Sequence, residues 1–400
     1  MSFRLGVLTS HPIQYQAPLH RALAAIPDVN LKVLFCSDWG TRTYRDPGFG
    51  VGFKWDVPLL DGYDSSFLRN FSPRPGPLGF IGLINPGIVA RVLRHDFDAL
   101  WINGWAAVTC WAAWSSAVVS GVPIMLRAET SGLNEPTGLK SIIKRRILSA
   151  MFSRVSALLT VGSNNKDFYR SYGVPEERLF SVPYTVDNDF FTAQQRNLGS
   201  REEMRLAAGL PVDTPLVLFC GKLLEHKRPF DVLQAALRCQ SKRNVAVAFV
   251  GDGPLREQME RFVSENHMNQ VYFLGFKNQT EITRYYALAD VLVLPSLLEP
   301  WGLVVNEAMC CGLPVIVSDR VGCARDLVRH GKNGFVYPAG DVDELSECLR
   351  RVLSSGEARK QMGASSREVI RRWSIREDVA GVGAALEFLT SKREHLRQAG

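Results

Sequence analysis

Pro295-Ser296-Leu297-Leu298-Glu299-Pro300-Trp301-Gly302-Leu303-Val304-Val305-Asn306-Glu307-Ala308-Met309 is the stretch from which the rest of the chain can be read. An apolar run, 291–295, stops at Pro295; a glycine-containing loop follows, and a helical pattern begins near Gly302. Strand, glycine loop, helix is a building block of a parallel α/β sheet. The free N–H groups and positive end of such a helix suit a diphosphate. Glu307 lies more than one turn into the helix, where a carboxylate can accept hydrogen bonds from ribose hydroxyls. Glu299 precedes the helix and can touch a sugar or its leaving bond. An apolar run follows Glu307, Ala308-Met309-Cys310-Cys311-Gly312-Leu313-Pro314-Val315. A carboxylate beside such a run needs a partner.

The same rhythm extends in both directions. Predicted strands in the second half are 216–221, 245–251, 271–275, 291–295, 314–318 and 334–337. They are continuous apolar runs, as expected for strands buried on both faces. The first half gives strands at 4–10, 31–37, 99–103, 123–129, 157–162 and 179–183, with helical periodicity at 14–26 and 88–94. A polar, Gly- and Pro-containing stretch, 187–215, reads as the interdomain connection, placed near 185–200. The reading is α/β: two doubly wound Rossmann-like domains facing across a cleft. The first would span 1–190, with a C-terminal helix at about 377–400 packing back on it; the second would span 200–375. In open parallel sheets ligands bind outside the carboxyl ends of the strands.

Two further motifs stand at strand ends. Gly221-Lys222-Leu223-Leu224-Glu225-His226-Lys227 sets two lysines five residues apart, in the loop after the first strand of the second half. Fixed positive charge there would stabilise a leaving nucleoside diphosphate without a metal. Solvated loop lysines are the plainer alternative. Gly251-Asp252-Gly253-Pro254 follows the next strand. Glycines so placed allow close backbone approach to a ligand, or serve an ordinary turn.

Composition bounds the partners. The chain has 400 residues, 46% hydrophobic and 22% charged, with a net charge of +7 and an isoelectric point of about 9.0. That length favours two domains. A basic balance suits nucleotide diphosphates or acidic lipid surfaces, and no nucleic-acid module is recognisable. None of the eight cysteines forms a C-x-x-C pair, so they read as free thiols in a reducing compartment. No secretory leader precedes the first strand, which points to the cytoplasm. The uncharged stretch 99–126 is long enough to span a bilayer, but Asn103, Gly104, Gly121 and Pro123 break it into strand, helix, turn and strand.

Leu216 to about Trp373 resembles the retaining glycosyltransferases of family four, which have the double-Rossmann GT-B fold. The resemblance rests on Gly221-Lys222 with Lys227, on Gly251-x-Gly253-Pro254, and on Glu299 and Glu307 with seven residues between them. Glu299-Pro300-Trp301-Gly302 and Gly312-Leu313-Pro314-Val315 complete it; 1–215 match more loosely. The resemblance implies a nucleotide diphospho-sugar donor, UDP- or GDP-linked, with retention and generally no metal or other cofactor. It implies that Lys222 and Lys227 hold the diphosphate together with the backbone of Gly302, Leu303 and Val304. It gives the ribose to Glu307 and the donor sugar to Glu299. Asp187-Asn188-Asp189 mimics the metal-binding Asp-x-Asp of the other transferase fold, but reads as linker.

The first half departs from the family pattern. Where the family often carries Asp-Val-Ile-His-x-His, this chain has Asp98-Ala99-Leu100-Trp101-Ile102-Asn103. The glycine-rich first loop is replaced by Thr9-Ser10-His11-Pro12-Ile13-Gln14-Tyr15. Asn103 and His11, each at a strand end, join Glu299 and Lys227 as candidate catalytic residues. Glu129 is either a base towards an acceptor hydroxyl or the ion-pair partner of Arg127.

Residues 139–152 form a basic, partly amphipathic pattern containing Lys140, Lys144, Arg145 and Arg146. It is either a packed helix with a solvated face or an attachment to the anionic inner face of a membrane near a lipid-linked acceptor. The apolar stretch 73–86 reads as an acceptor-side loop. The function that follows is glycosyl transfer to a saccharide or lipid-linked acceptor, in cell-envelope polysaccharide or glycolipid synthesis. The alternative is a non-catalytic sugar-nucleotide-binding protein of the same fold.

Overall fold

A computed structural model of the chain describes all residues except 1, 47, 77–78, 131–137, 241–243 and 399–400. The strands, in chain order, are β1 (Phe3–Thr9), β2 (Val29–Phe35), β3 (Tyr44–Arg45), β4 (Gly52–Phe53), β5 (Asp64–Phe67), β6 (Ala99–Asn103), β7 (Ile124–Arg127), β8 (Ala157–Thr160), β9 (Leu179–Ser181), β10 (Leu216–Cys220), β11 (Ala246–Val250), β12 (Val271–Gly275), β13 (Val291–Leu294), β14 (Val315–Ser318) and β15 (Gly334–Tyr337). They form a seven-stranded sheet ordered β5-β2-β1-β6-β7-β8-β9 and a six-stranded sheet ordered β12-β11-β10-β13-β14-β15. Every pairing in both sheets is parallel. In each sheet the strand order reverses beside the first strand, at β1/β6 and at β10/β13. This is the doubly wound arrangement, with its ligand crevice at the switch point.

The chain divides into two units. The first comprises Met1–Tyr44, Val57–Tyr184 and Ile375–Gly400; the second comprises Arg45–Asp56 and Thr185–Ser374. In the first unit, alternation along the strands feeds two cores. Leu8, Leu100 and Ile102 face one cluster with Ala113, Ala117, Leu148 and Phe152. Leu5, Val7, Ala99 and Trp101 face the other, closed by Leu19 and Leu23 and by Val382, Ala385, Leu386 and Leu389 of the helix Ile375–Gln398. In the second unit β10 and β11 are buried at every position. The helices Pro229–Gln240 and Val342–Leu353 cover one face through Val232, Leu233, Leu345, Leu349 and Val352. Each such side chain contributes roughly 1.5–3 kcal/mol of apolar burial.

Two readings of the chain's organisation change. Residues 45–56, expected to stay within 1–190, belong to the second unit. The expected connection at 187–215 is instead structured. Two helices, Asn188–Arg196 and Arg201–Ala207, stand there. The reason is Arg205, a buried guanidinium that donates to the carbonyls of Pro211, Val212, Thr214 and Leu288 and to the Asp290 carboxylate. Asp187, of the metal-like Asp-x-Asp, caps the first of these helices by accepting from the Phe190 N–H at 3.0 Å. The uncharged stretch 99–126 is β6, the helix Val108–Ser120, Gly121 with φ +72° and β7. Among the described residues no helix is long and apolar enough to cross a membrane. All eight cysteines are free, and seven are buried.

Candidate active site

In the second unit, three loops meet at the carboxyl ends of β10, β11 and β13. The β10 loop leaves through Gly221 and ends in a short 3-10 turn, Glu225–Lys227. Arg228 then takes a left-handed conformation, φ +51°, that turns the chain into the helix at Pro229. Gly251 and Gly253 explain how this loop is held. A Cβ on Gly251 would fall 1.9 Å from the Gly221 carbonyl oxygen, and one on Gly253 would fall 2.7 Å from that of Leu223. Their bare backbones let the lysine loop lie against them, sealed by the Leu223 N–H donating to the Asp252 carbonyl at 2.9 Å.

The β13 loop is tied to the same place. The Leu297 N–H donates to the His226 carbonyl at 2.7 Å. Glu299 is fixed through its own carbonyl, which accepts from the Gly322 N–H at 2.9 Å. Its carboxylate is ion-paired with the Lys227 ammonium, with both side chains largely buried. Lys222 is paired elsewhere, with the Asp46 carboxylate at 2.8 Å.

Gly302 starts the helix Leu303–Cys310 at φ +97°. A Cβ there would meet the Leu294 side chain at 2.9 Å and that of Val321 at 3.1 Å, so conformation and space both require glycine. The first-turn N–H groups at Leu303 and Val304 have no acceptor within their own helix. Glu307 is buried, and its expected partner is Tyr286, whose hydroxyl donates to Oε2 at 2.6 Å. Burial drives the Glu307 carboxyl up to about 7, against the opposing hydrogen bonds from Tyr286 and Gln279. Tyr286 also touches the Cys220 sulfur at 3.4 Å.

His11 and Asn103 lie in the first unit, beyond the ends of the adjacent strands β1 and at the end of β6. Ser10 Oγ lies 2.9 Å from His11 Nδ1, and burial lowers the imidazole to about 4, so it is neutral near pH 7. Asn103 Oδ1 accepts from the Trp101 indole at 3.1 Å. Arg127 does not pair with Glu129. It is buried against Asp378 at 3.4 Å and donates to the carbonyls of Val182 and Pro183. Glu129 instead accepts from Tyr15, at 3.4 Å, and from Tyr184. Sequence reasoning missed Asp46, Tyr286 and Tyr184. Asp46 sits in an Asp-Pro-Gly turn, which signals a bend but not a lysine partner.

Two doubly wound parallel sheets, each with its switch point beside the first strand, define the GT-B class of double-Rossmann glycosyltransferase folds. The solved structure of Anabaena HepE in complex with UDP and glucose shares this fold, with a TM-score of 0.71 at 18% identity over 96% of this chain and 99% of that one. Residues 200–369 match the family of glycosyl transferases group 1. Over 338 residues the chain is 32% identical to the GDP-mannose-dependent alpha-(1-6)-phosphatidylinositol monomannoside mannosyltransferase of Mycolicibacterium smegmatis, covering 79% of this chain and 83% of that protein. It is 27% identical over 329 residues to the sulfoquinovosyl transferase SQD2 of Arabidopsis thaliana, covering 78% of this chain and 62% of the relative's length. The chain belongs to the glycosyl transferases group 1 family.

Proposed function

We propose that this protein transfers a glycosyl group, with retention and without a metal, from a UDP- or GDP-linked sugar to a saccharide or lipid-linked acceptor. The observation that carries this reading is the Lys227–Glu299 pair, fixed beside the start of the helix Leu303–Cys310. Lys222, Lys227 and the Gly302–Val304 N–H groups receive the diphosphate, whose negative charge grows as the glycosyl bond breaks. Glu299 then faces the donor sugar, and Glu307 accepts from the ribose hydroxyls. Asn103 and His11 are further candidate catalytic residues. His11, neutral by burial, accepts or donates one hydrogen bond without adding charge.

The named relatives support the substrate class. One is GDP-mannose-dependent and acts on a phosphatidylinositol monomannoside, and HepE binds UDP and glucose. A role in cell-envelope polysaccharide or glycolipid synthesis at the inner membrane surface follows from this reading. The helix Leu139–Ser153 supports it by exposing Ile142, Ile143 and Ile147 beside Arg145 and Arg146. The side chains of Leu139 and Lys140 lie outside the described residues. In the apolar stretch 73–86, of which 77–78 are not described, Phe80 and Ile81 are also exposed.

A screen of UDP-, GDP- and ADP-sugars for donor hydrolysis and thermal protection tests the proposal. One class should protect the protein and be hydrolysed slowly. No binding to any of them by folded protein would defeat it. Lys227→Ala should lower kcat/KM by about 10²–10³ with the fold intact by circular dichroism, the scale seen when a transition-state charge contact is removed.

A further inference from the structure

The segment Arg45–Asp56 leaves the first unit's strand sequence and packs on the second unit, where it meets Lys222. Asp46 holds the ammonium with both carboxylate oxygens, Oδ1 at 2.8 Å and Oδ2 at 3.0 Å. Its Oδ1 also accepts from the Gly48 and Phe49 N–H groups, at 2.8 and 3.0 Å. The Phe49 ring centre lies 5.0 Å from the same ammonium. Gly48 runs flush along the lysine stem, since a Cβ there would fall 2.6 Å from Lys222 Cδ.

The segment is anchored at a distance from this contact. Phe53 stacks on Phe276 at 4.3 Å, and Phe49 meets the same ring edge-on at 5.0 Å. The Asn278 side-chain amide donates to the Lys54 carbonyl at 2.7 Å, and Thr280 donates to Asp56 through its N–H and hydroxyl. Burial pushes the Asp46 carboxyl up, but the Lys222 ammonium and the two N–H groups outweigh it, so it stays ionised.

From this geometry we infer that Asp46 is a built-in competitor for the donor: its carboxylate stands where a diphosphate oxygen must stand, and the nucleotide sugar engages Lys222 only by displacing it. This rests on the proposed role of Lys222. The two lysines differ in this respect. Glu299, which pairs with Lys227, is part of the β13 loop of the second unit, and its carbonyl accepts from the Gly322 N–H of the loop after β14. Asp46 comes from a separate piece of chain, and Lys222 is one-third exposed, so an incoming anion can reach it. A single partly exposed ion pair is weak, whereas a diphosphate brings more than one negative charge to two lysines and a helix start. The competitor therefore raises the donor concentration needed for occupancy without blocking the site.

Equilibrium binding of UDP, GDP and inorganic pyrophosphate to the full chain tests this. Asp46→Asn should tighten binding of the preferred nucleotide and of pyrophosphate by about 3- to 30-fold, while Asp46→Glu should stay near the parent. Asp46→Ser should act in the same direction, and it serves if the asparagine variant fails to fold. Unchanged or weaker binding in a folded Asp46 variant overturns the competitor, as does tightening seen with nucleotides but not pyrophosphate. Lys222→Ala separates the two claims. If it weakens nucleotide binding while Asp46→Asn has no effect, the donor reading stands and the competitor falls. If Lys222→Ala leaves binding unchanged, the role of Lys222 falls and the competitor with it.

Discussion

Glu307 shows most clearly how a residue's surroundings set its chemistry. Its carboxyl, ordinarily near 4.5, is raised to about 7 by burial. Between those values the folded chain binds a proton at Glu307 that the unfolded chain has lost. Its contribution to stability is therefore fully present below about pH 4.5 and is lost as pH rises through 7. The difference is on the order of 3 kcal/mol at full ionisation. His11, lowered by burial to about 4, gives the opposite slope, gaining stability from about pH 4 to 6.5. The sum of the two is shallow, so the parent's melting profile alone does not reveal either. Glu307→Gln should remove only the acidic-carboxyl part. Plotted as variant minus parent, melting temperature should rise steadily from pH 5 to 7.5; a flat difference would contradict the buried carboxyl. The same variant should bind the preferred nucleotide about tenfold less tightly, the scale of one lost hydrogen bond to a charged group.

At the residue scale the sequence showed one side of each contact. Lys222, Lys227, Glu299 and Glu307 were legible because loop position, charge and an adjoining apolar run constrain them locally. Their partners were less so. Tyr286 reaches Glu307 from a different helix, Gln279–Leu288, and Asp46 reaches Lys222 across 176 positions. No local pattern encodes such an approach. Asn103 and His11 stand as candidates by their places at strand ends, but what binds them, Trp101 and Ser10, follows from side-chain orientation.

Among the elements, the strands of the second sheet were the most readable. The observed bounds of β12 and β15 coincide with the predicted ones, β10, β13 and β14 differ by one residue at one end, and β11 by one residue at each end. Five of the six are buried at nearly every position and so largely apolar, which marks where they start; the edge strand β12 is half-buried but still an apolar run. β5, Asp64–Phe67, was missed because it is an edge strand of mostly polar residues, Asp64-Ser65-Ser66-Phe67. The helix Leu303–Cys310 depends on its first residue. Gly302→Ala would place a Cβ against Leu294 and Val321 in a left-handed backbone. It should cost about 2–4 kcal/mol, combining the backbone penalty with overpacking, and weaken nucleotide affinity, read by calorimetric melting and titration. A variant as stable as the parent would show that the turn can relax.

The helix Leu139–Ser153 makes a separate prediction. Its buried residues, Leu148, Met151 and Phe152, secure one face, and Ile142, Ile143 and Ile147 are exposed beside basic groups. Lys144→Glu, Arg145→Glu and Arg146→Glu together should release the protein from vesicles containing phosphatidylglycerol, with no change on neutral phosphatidylcholine vesicles. Equal co-sedimentation of parent and variant would refute membrane attachment through this helix.

On the scale of the whole chain, the two units are assembled from interleaved pieces. The helix Ile375–Gln398 belongs to the first unit, where Val382, Ala385, Leu386 and Leu389 close a core and Asp378 neutralises buried Arg127. Ending the chain at Ser374 should therefore destabilise the first unit, not the second unit it follows in sequence. The cost of leaving Arg127 unpaired is about 3–5 kcal/mol before the lost apolar burial is counted. In a calorimetric scan, the transition that a nucleotide does not raise should move down or vanish. The nucleotide-stabilised transition should persist. Loss of the latter instead would reverse the assignment of the helix.

That interleaving also orders events during synthesis. Translation delivers β1 well before Thr185–Ser374, and the helix that seals the sheet it belongs to only after them. All of Thr185–Ser374 is available to fold in between, using Arg45–Asp56 already waiting outside the ribosome. The first unit is thus begun before the second and closed after it, and its half-covered sheet stays exposed for the time needed to make nearly two hundred intervening residues.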